Sequence, residues 1–135
     1  MNDNIFFDTN VILYSYSIVD NQKSLVSKNL IGNTKSIIST QVLQEMCNVL
    51  IKKFKLDMTS ISNTLSELEL NFDVRINTTE TIRNALKIHF KYQYSYYDSL
   101  IIASALENKC SVLYSEDLHH NQKIEDTLTI INPFL

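Results

Sequence analysis

Apolar residues fall along this chain in short runs that alternate with longer amphipathic stretches. The short runs are rich in β-branched or aromatic residues and lack a clean apolar–polar alternation, which is typical of strands covered on both faces. They are Ile5 to Phe7, Ser36 to Ile38, Asp73 to Ile76, Val112 to Tyr114 and Thr129 to Ile131. Helical periodicity lies between them, at about 21–31, 40–54, 58–71, 79–93 and 97–108.

Strands that alternate with helices predict an α/β fold in which helices wrap a parallel sheet. Ligands of such folds collect at the carboxyl ends of the strands. Asp8 directly follows the first predicted strand, and Glu116 and Asp117 closely follow the fourth. The chain has one Gly and one Pro, so we expect Asn and Asp to form most turns.

The composition describes one globular domain that spans residues 1–135. Hydrophobic residues make up 44% of the chain and charged residues 20%, enough for a real core. The formal charge is 12 − 15 = −3, which argues against a nucleic-acid binder that works through a strongly basic surface. A nucleic-acid substrate would need a bound cation or a local basic patch to offset an acidic site.

The two cysteines and the N-terminus predict a cytoplasmic location. Cys47 and Cys110 have no metal-binding spacing and are interpreted as small core residues, which suits a reducing compartment. No apolar stretch reaches the ~18 residues of a membrane span, and the acidic start Met1 to Asn4 does not resemble a signal peptide. We therefore expect no membrane partner.

Asp8 and Glu45 each allow two interpretations. Asp8 precedes Thr9 and Asn10, and it is either a turn or helix-cap residue or a carboxylate presented at the strand end as a cation ligand. Glu45 lies at the edge of the apolar arc of the predicted helix 40–54, where a Glu is commonly just solvated through its long stem.

Asp98 is the most informative acidic position. On a helical wheel it falls within the apolar stripe of Ile101, Ile102 and Ala105. A carboxylate in such a stripe is costly to bury unless it is paired, capped or bound to metal. Ser95 and Asp98 also fit a capping box, and both interpretations can hold together.

The last acidic pair is Glu116 and Asp117, preceded by Ser115. Alone, these residues would indicate a turn or a helix cap, and spacing does not decide which carboxylate points inward. All these acids can converge on one edge of a parallel sheet, where carboxylates repel each other unless a divalent cation binds. Oxygen-only ligands favour Mg²⁺ or Mn²⁺ over zinc, and such a site orients phosphate oxygens and activates water without a side-chain nucleophile.

Three lysines end the predicted helix 40–54. A helix C-terminus favours cations through its dipole, and this accounts for Lys52, Lys53 and Lys55 in the simplest way. Contact with a phosphate backbone is the alternative.

These residues, in this order, resemble the PIN-domain family, and within it the small VapC-like toxins of bacterial toxin–antitoxin pairs. The resemblance covers essentially the whole chain. The matching segments are Ile5 to Val11, Ser39 to Glu45, Tyr97 to Ala105, Leu113 to Leu118 and Ile131 to Phe134. The sequence departs from the family near Asn121, where many relatives have Gly.

The resemblance implies a three-layer α/β/α PIN-like fold with a central parallel sheet of about five short strands. It implies Mg²⁺- or Mn²⁺-dependent cleavage of RNA, an antitoxin partner protein and a homodimer. The residues that match the family's catalytic and metal-binding quartet are Asp8, Glu45, Asp98 and Asp117. Polar neighbours that would orient these carboxylates are Thr9, Asn10, Ser115 and Glu116.

We therefore predict a metal-dependent endoribonuclease, the toxin of a toxin–antitoxin pair, that hydrolyses RNA phosphodiesters with metal-activated water. The alternative is a non-catalytic PIN-like module that binds RNA or a partner protein. A phosphatase of the haloacid-dehalogenase type is disfavoured, because that chemistry needs a second Asp where Asn10 stands. A receiver domain needs a phospho-accepting Asp after the third strand, and that run ends at Ile76 and Asn77.

Overall fold

The protein, described by a computed structural model over residues 4–33 and 36–135, alternates strands with helices. Its elements are β1 (Ile5–Phe7), α1 (Thr9–Ser15), α2 (Asn21–Asn33), β2 (Ser36–Ser39), α3 (Thr40–Lys52), α4 (Met58–Asn71), β3 (Asp73–Arg75), α5 (Thr79–Tyr92), α6 (Tyr96–Glu107), β4 (Val112–Tyr114), β5 (Lys123–Ile124) and β6 (Leu128–Ile131).

One sheet carries the strands in the order β3-β2-β1-β4-β6-β5. All neighbouring pairs are parallel except β5 with β6, which is antiparallel. The predicted α/β fold with a central parallel sheet is confirmed, with six described strands where about five were predicted. The additional strand, β5, has two residues, too few for a hydrophobic pattern to indicate a strand.

The centre of the sheet positions the candidate site. β1 lies between β2 and β4, and because all three are parallel, their carboxyl ends lie at the same edge. Asp8 leaves β1 at this edge, α3 follows β2 there, and Ser115 follows β4. The sequence therefore delivers three of its acidic segments to neighbouring positions.

The sheet is covered on both faces, as its patternless strands predicted. All four residues of β2 are buried, and successive side chains of a strand point to opposite faces. Phe6, Phe7, Ile37 and Ile38 are at most 1% exposed.

Helix α6 is largely enclosed: its residues Ser99 to Ala105 are all buried, which is typical of a helix in the core. Helix α3 is amphipathic instead, with Val42, Met46 and Leu50 buried at intervals of four residues. Helix α1 was absent from the five predicted helices because its seven residues are fewer than the window in which helical periodicity can be recognised.

Two smaller predictions concern turns and cysteines. Asn121 has φ 67, the left-handed conformation that Asn tolerates and that Gly adopts without strain. Both cysteines are free thiols, with Cys110 buried and Cys47 half-buried. Over the described ranges, the structure has no helix of the length and apolarity required to span a membrane.

Candidate active site

Asp8 caps helix α1, which confirms the cap interpretation, and it is buried at the carboxyl end of β1, where its role as a cation ligand stays a prediction. Its carboxylate oxygens accept hydrogen bonds from the Thr9 N–H and the Ser115 hydroxyl, each at 2.8 Å. The Asp8 N–H donates to the Tyr114 carbonyl at 2.9 Å and continues the pairing of β1 with β4. Asp8 is only 6% exposed.

The ionisation of Asp8 reports on its neighbours. Burial raises the pKa of this carboxyl from 3.8 to about 7, against the opposing hydrogen bonds from Ser115 and Thr9. The negative charges of Glu45 and Asp98 contribute to this raised pKa. Three of the four predicted ligands therefore lie close enough together to interact electrostatically.

Glu45 lies in the second turn of α3, half-buried. Its Oε1 accepts a hydrogen bond from the Thr9 hydroxyl at 2.6 Å, and its Oε2 accepts one from Gln41 Nε2 at 3.4 Å. Thr9 thus holds the α3 carboxylate beside the residue that follows Asp8.

Asp98 lies in the first turn of α6. The Ser95 hydroxyl accepts a hydrogen bond from the Asp98 N–H at 3.2 Å, which confirms Ser95 as the N-cap. The Asp98 carboxylate itself accepts no hydrogen bond within the described part of the chain. Its oxygens therefore remain available to an external ligand.

Asp117 joins the site through Asn10 and Ser115. Asn10 Nδ2 donates to Asp117 Oδ2 at 2.7 Å, and Asn10 Oδ1 accepts from the Glu116 N–H at 3.3 Å. The Asp117 N–H donates to the Ser115 hydroxyl at 3.3 Å. Asn10 therefore spans the loop after β4, and Ser115 links it to Asp8.

Glu116 is held by other partners. Its carboxylate forms an ion pair with Lys23 Nζ and accepts a hydrogen bond from the Tyr14 hydroxyl at 2.7 Å. Partial burial acts to raise the pKa of Glu116, but Lys23 and Tyr14 outweigh it and hold that pKa below its usual range. The Lys23 ammonium also lies 4.8 Å from the Tyr14 ring centroid and 5.4 Å from that of Phe134. The Glu116 carboxylate is therefore engaged by Lys23 and Tyr14, whereas the Asp117 carboxylate is engaged by Asn10.

Sequence reasoning missed Gln41. This side chain is 5% exposed, and its Nε2 also donates to the Tyr97 carbonyl at 3.1 Å. It therefore connects the helix that carries Glu45 to the helix that carries Asp98. Its Oε1 is buried and has no hydrogen-bond partner among the described residues. The only signal in the sequence is its position four residues before Glu45, since such pairs are neighbours on a helix.

The donor set suits a hydrated hard cation. Carboxylate oxygens select Mg²⁺ or Mn²⁺. Among the described residues, no three His, Cys, Asp or Glu side chains are arranged to hold one ion directly. Mg²⁺ usually keeps several waters and binds proteins through one or two carboxylates. The residues present therefore fit a hydrated Mg²⁺ better than they fit an ion enclosed only by protein ligands.

Comparisons with known proteins place this geometry in a wider context. A sequence model of the PIN domain matches residues 5–124, a range that includes all four predicted acidic ligands. A search of curated proteins found no match.

Solved structures share the fold. The chain is similar to a chain of a toxin–antitoxin complex from Klebsiella pneumoniae, with 18% identity, a TM-score of 0.73 and coverage of 96% of this chain and 97% of that one. It is similar to VapC20 of Mycobacterium tuberculosis, described as a toxin that cleaves the sarcin-ricin loop, with 19% identity, a TM-score of 0.66 and coverage of 84% and 89%. FitAcB from Neisseria gonorrhoeae is similar with 14% identity, a TM-score of 0.68 and coverage of 96% and 98%.

Proposed function

Since the chain belongs to the PIN-domain family, we propose that it is a metal-dependent endoribonuclease whose active site is the acidic cluster around Asp8. Asp8, Glu45, Asp98 and Asp117 would hold hydrated Mg²⁺ or Mn²⁺ and serve the hydrolysis of RNA phosphodiesters. The alternative is a PIN-like module that binds RNA or a partner protein without cleaving it.

Uncompensated negative charge is the observation that carries this proposal. Asp8 is buried beside Glu45 and Asp98, and its pKa is raised to about 7. Over the described residues, no Lys or Arg forms an ion pair with any of the four acids. A divalent cation offsets this repulsion directly.

The residues of the site divide into ligands and the groups that orient them. Thr9 orients Glu45, Ser115 orients Asp8, and Asn10 orients Asp117. Such supporting hydrogen bonds fix the carboxylates in place. When bound, the cation would supply positive charge to the phosphate oxygens and would ease deprotonation of the attacking water at neutral pH.

Asp98 and Asp117 are the acids best placed to handle protons. The Asp98 carboxylate and the Oδ1 of Asp117 accept no hydrogen bond from the described residues. Either can accept a proton from an attacking water during in-line displacement. No covalent intermediate is required.

We further propose that the protein is the toxin of a toxin–antitoxin pair, bound as a homodimer to an antitoxin protein. Its fold is shared with a chain from the toxin–antitoxin complex of Klebsiella pneumoniae over nearly the whole of both chains.

The test is cleavage of a mixed RNA pool by purified protein in Mg²⁺ or Mn²⁺, with EDTA as the metal-free condition. We expect cleavage to need the metal and to fall by at least about 100-fold in Asp98→Asn. The exposed acid Glu69 on α4 forms no ion pair with any described residue, so Glu69→Gln, which removes the same charge, should cleave like the wild type.

Two results would count against the nuclease. Cleavage that survives both in EDTA and in Asp98→Asn would come from a contaminant or another site. Metal and RNA binding without cleavage in any condition would support the binding module instead.

A further inference from the structure

A basic segment, residues 52–55, ends helix α3 outside the acidic site. Lys52, Lys53 and Lys55 are exposed, and among the described residues none of them forms an ion pair. Phe54 is 52% exposed, and the Lys53 ammonium lies 5.8 Å from the centroid of its ring. The helix dipole explains lysines in the last turn, but it explains neither the exposed ring nor Lys55, which lies beyond the helix.

The backbone of the basic segment is fixed. The N–H groups of Lys53 and Phe54 both donate to the Val49 carbonyl, at 2.8 and 3.3 Å, and the Leu56 N–H donates to the Leu50 carbonyl at 3.1 Å. Lys55 has φ 51, a left-handed conformation that turns the chain out of the helix. These hydrogen bonds define the path of the backbone that carries the lysines and the ring.

One face of α3 connects this segment to the acidic site. Four polar residues recur at intervals of four, three and four positions, which places them on one helix face. They are Gln41, Glu45, Asn48 and Lys52. At 1.5 Å per residue, Lys52 lies about 10 Å along the helix axis from Glu45.

We propose that the basic segment binds single-stranded RNA on one side of the scissile bond, with its lysines on backbone phosphates and Phe54 stacked on an unpaired base. Lysines attract phosphates, and exposed aromatic rings stack on bases that are not paired. The chain carries a net charge of −3, so a polyanion needs such a local cationic surface to bind beside four carboxylates. This inference rests on the proposed function and names its substrate as unpaired RNA.

The first measurement is binding of a fluorescent single-stranded RNA oligonucleotide in EDTA, where no cleavage is expected. The second is the KM and kcat for cleavage of the same oligonucleotide in Mg²⁺. The variants are the triple change Lys52→Ala, Lys53→Ala, Lys55→Ala and the single change Phe54→Ala. The matched control is the triple change Lys28→Ala, Lys87→Ala, Lys109→Ala, which removes the same charge from exposed positions elsewhere in the chain.

We expect the basic-segment triple variant to bind RNA at least about tenfold more weakly, and its plot of log affinity against log salt to flatten by about 0.7 per lost phosphate contact. Phe54→Ala should weaken RNA binding about tenfold without changing this salt slope, and Phe54→Tyr, which keeps an aromatic ring, should bind RNA as tightly as the wild type. In Mg²⁺ these losses should appear in KM, with kcat within about twofold of the wild type.

Four outcomes overturn the inference. If the control triple variant loses as much affinity as the basic-segment variant, the effect is net charge and not a site. If the basic-segment triple variant and the control triple variant both bind RNA as tightly as the wild type does, and the wild type cleaves RNA, the inference is wrong and the proposed function stands. If wild-type protein binds polyglutamate more tightly than RNA and loses this in the triple variant, the segment serves an acidic protein partner. A wild type that neither binds nor cleaves RNA refutes the proposed function as well.

Discussion

At the scale of single residues, Asp8 combines burial with hydrogen bonds that favour its charged form. Ser115 and the Thr9 N–H donate to its two oxygens, yet burial and the charges of Glu45 and Asp98 prevail and raise its pKa to about 7. In the metal-free protein, the Asp8 carboxyl is therefore harder to ionise at neutral pH than an ordinary carboxyl is. A bound cation would reverse this preference, because it stabilises the carboxylate.

Asp8→Asn tests this electrostatic strain. The folded pKa of Asp8 lies above its unfolded value, so its contribution to stability is fully present below about pH 4 and is lost as the pH rises through about 7. In EDTA at pH 8, Asp8→Asn should raise the free energy of unfolding, by an amount on the order of 1–3 kcal/mol. Denaturant unfolding across pH would measure it, and a gain that is equally large near pH 4 would contradict this cause.

At the scale of elements, two helices bring the acids of the site to Asp8. Helix α3 carries Glu45, and α6 carries Asp98 in its first turn. Gln41 connects these helices through its bond to the Tyr97 carbonyl and reaches Glu45 from the same amide nitrogen. This buried side chain therefore helps to set the separation between the two carboxylates.

Gln41→Leu should loosen this connection. It removes a donor from the Tyr97 carbonyl, but it also removes the unpartnered Gln41 Oε1, so we expect the free energy of unfolding to fall by only about 1 kcal/mol. The Mg²⁺ concentration needed for half-maximal cleavage should rise by about tenfold, as is typical when groups that support a metal ligand are lost.

The control is Gln44→Leu on the exposed side of α3, which should leave the Mg²⁺ requirement unchanged. A loss of stability in Gln41→Leu without any shift in the Mg²⁺ requirement would show that Gln41 has only a structural role.

At the scale of the whole molecule, the strand order concentrates negative charge at one edge. The neighbouring parallel strands β2, β1 and β4 deliver α3, Asp8 and the Ser115 loop to that edge. Among the described lysines, Lys23 is linked to these acids through hydrogen bonds, but its ammonium is paired with Glu116. The folded state should therefore bind a divalent cation much better than the unfolded chain does.

Mg²⁺ should consequently raise the unfolding temperature. A ligand that binds only the folded state at 100 times its dissociation constant adds about 2.7 kcal/mol, which corresponds to roughly 5–15 °C for a domain of this size. Calorimetry in Mg²⁺ and in NaCl of equal ionic strength would separate binding from screening. The double variant Asp8→Asn, Asp98→Asn should lose the Mg²⁺ effect, and a shift that persists there would place the cation elsewhere.

The sequence by itself determined most of the fold. Five strands, the main helices and the Ser95 cap followed from local periodicity and capping preferences, because these depend on residues close together in the chain. It also determined that acids follow strand ends, and the parallel topology then brought them to one edge. The resemblance to PIN domains added the family, which the match over residues 5–124 confirms. The metal-binding roles of the four acids stay a prediction.

Only the tertiary structure decided the details on which chemistry depends. Spacing in the sequence could not decide which of Glu116 and Asp117 points into the site. In the structure Glu116 is engaged by Lys23 and Tyr14, which lie 93 and 102 positions away. Asp117 is contacted by Asn10, which lies 107 positions away. Gln41 meets Tyr97 across 56 positions. The raised pKa of Asp8 depends mainly on the burial of its carboxyl in the folded protein. Contacts between such distant positions leave no local period in the sequence, because they exist only once the helices have packed on the sheet.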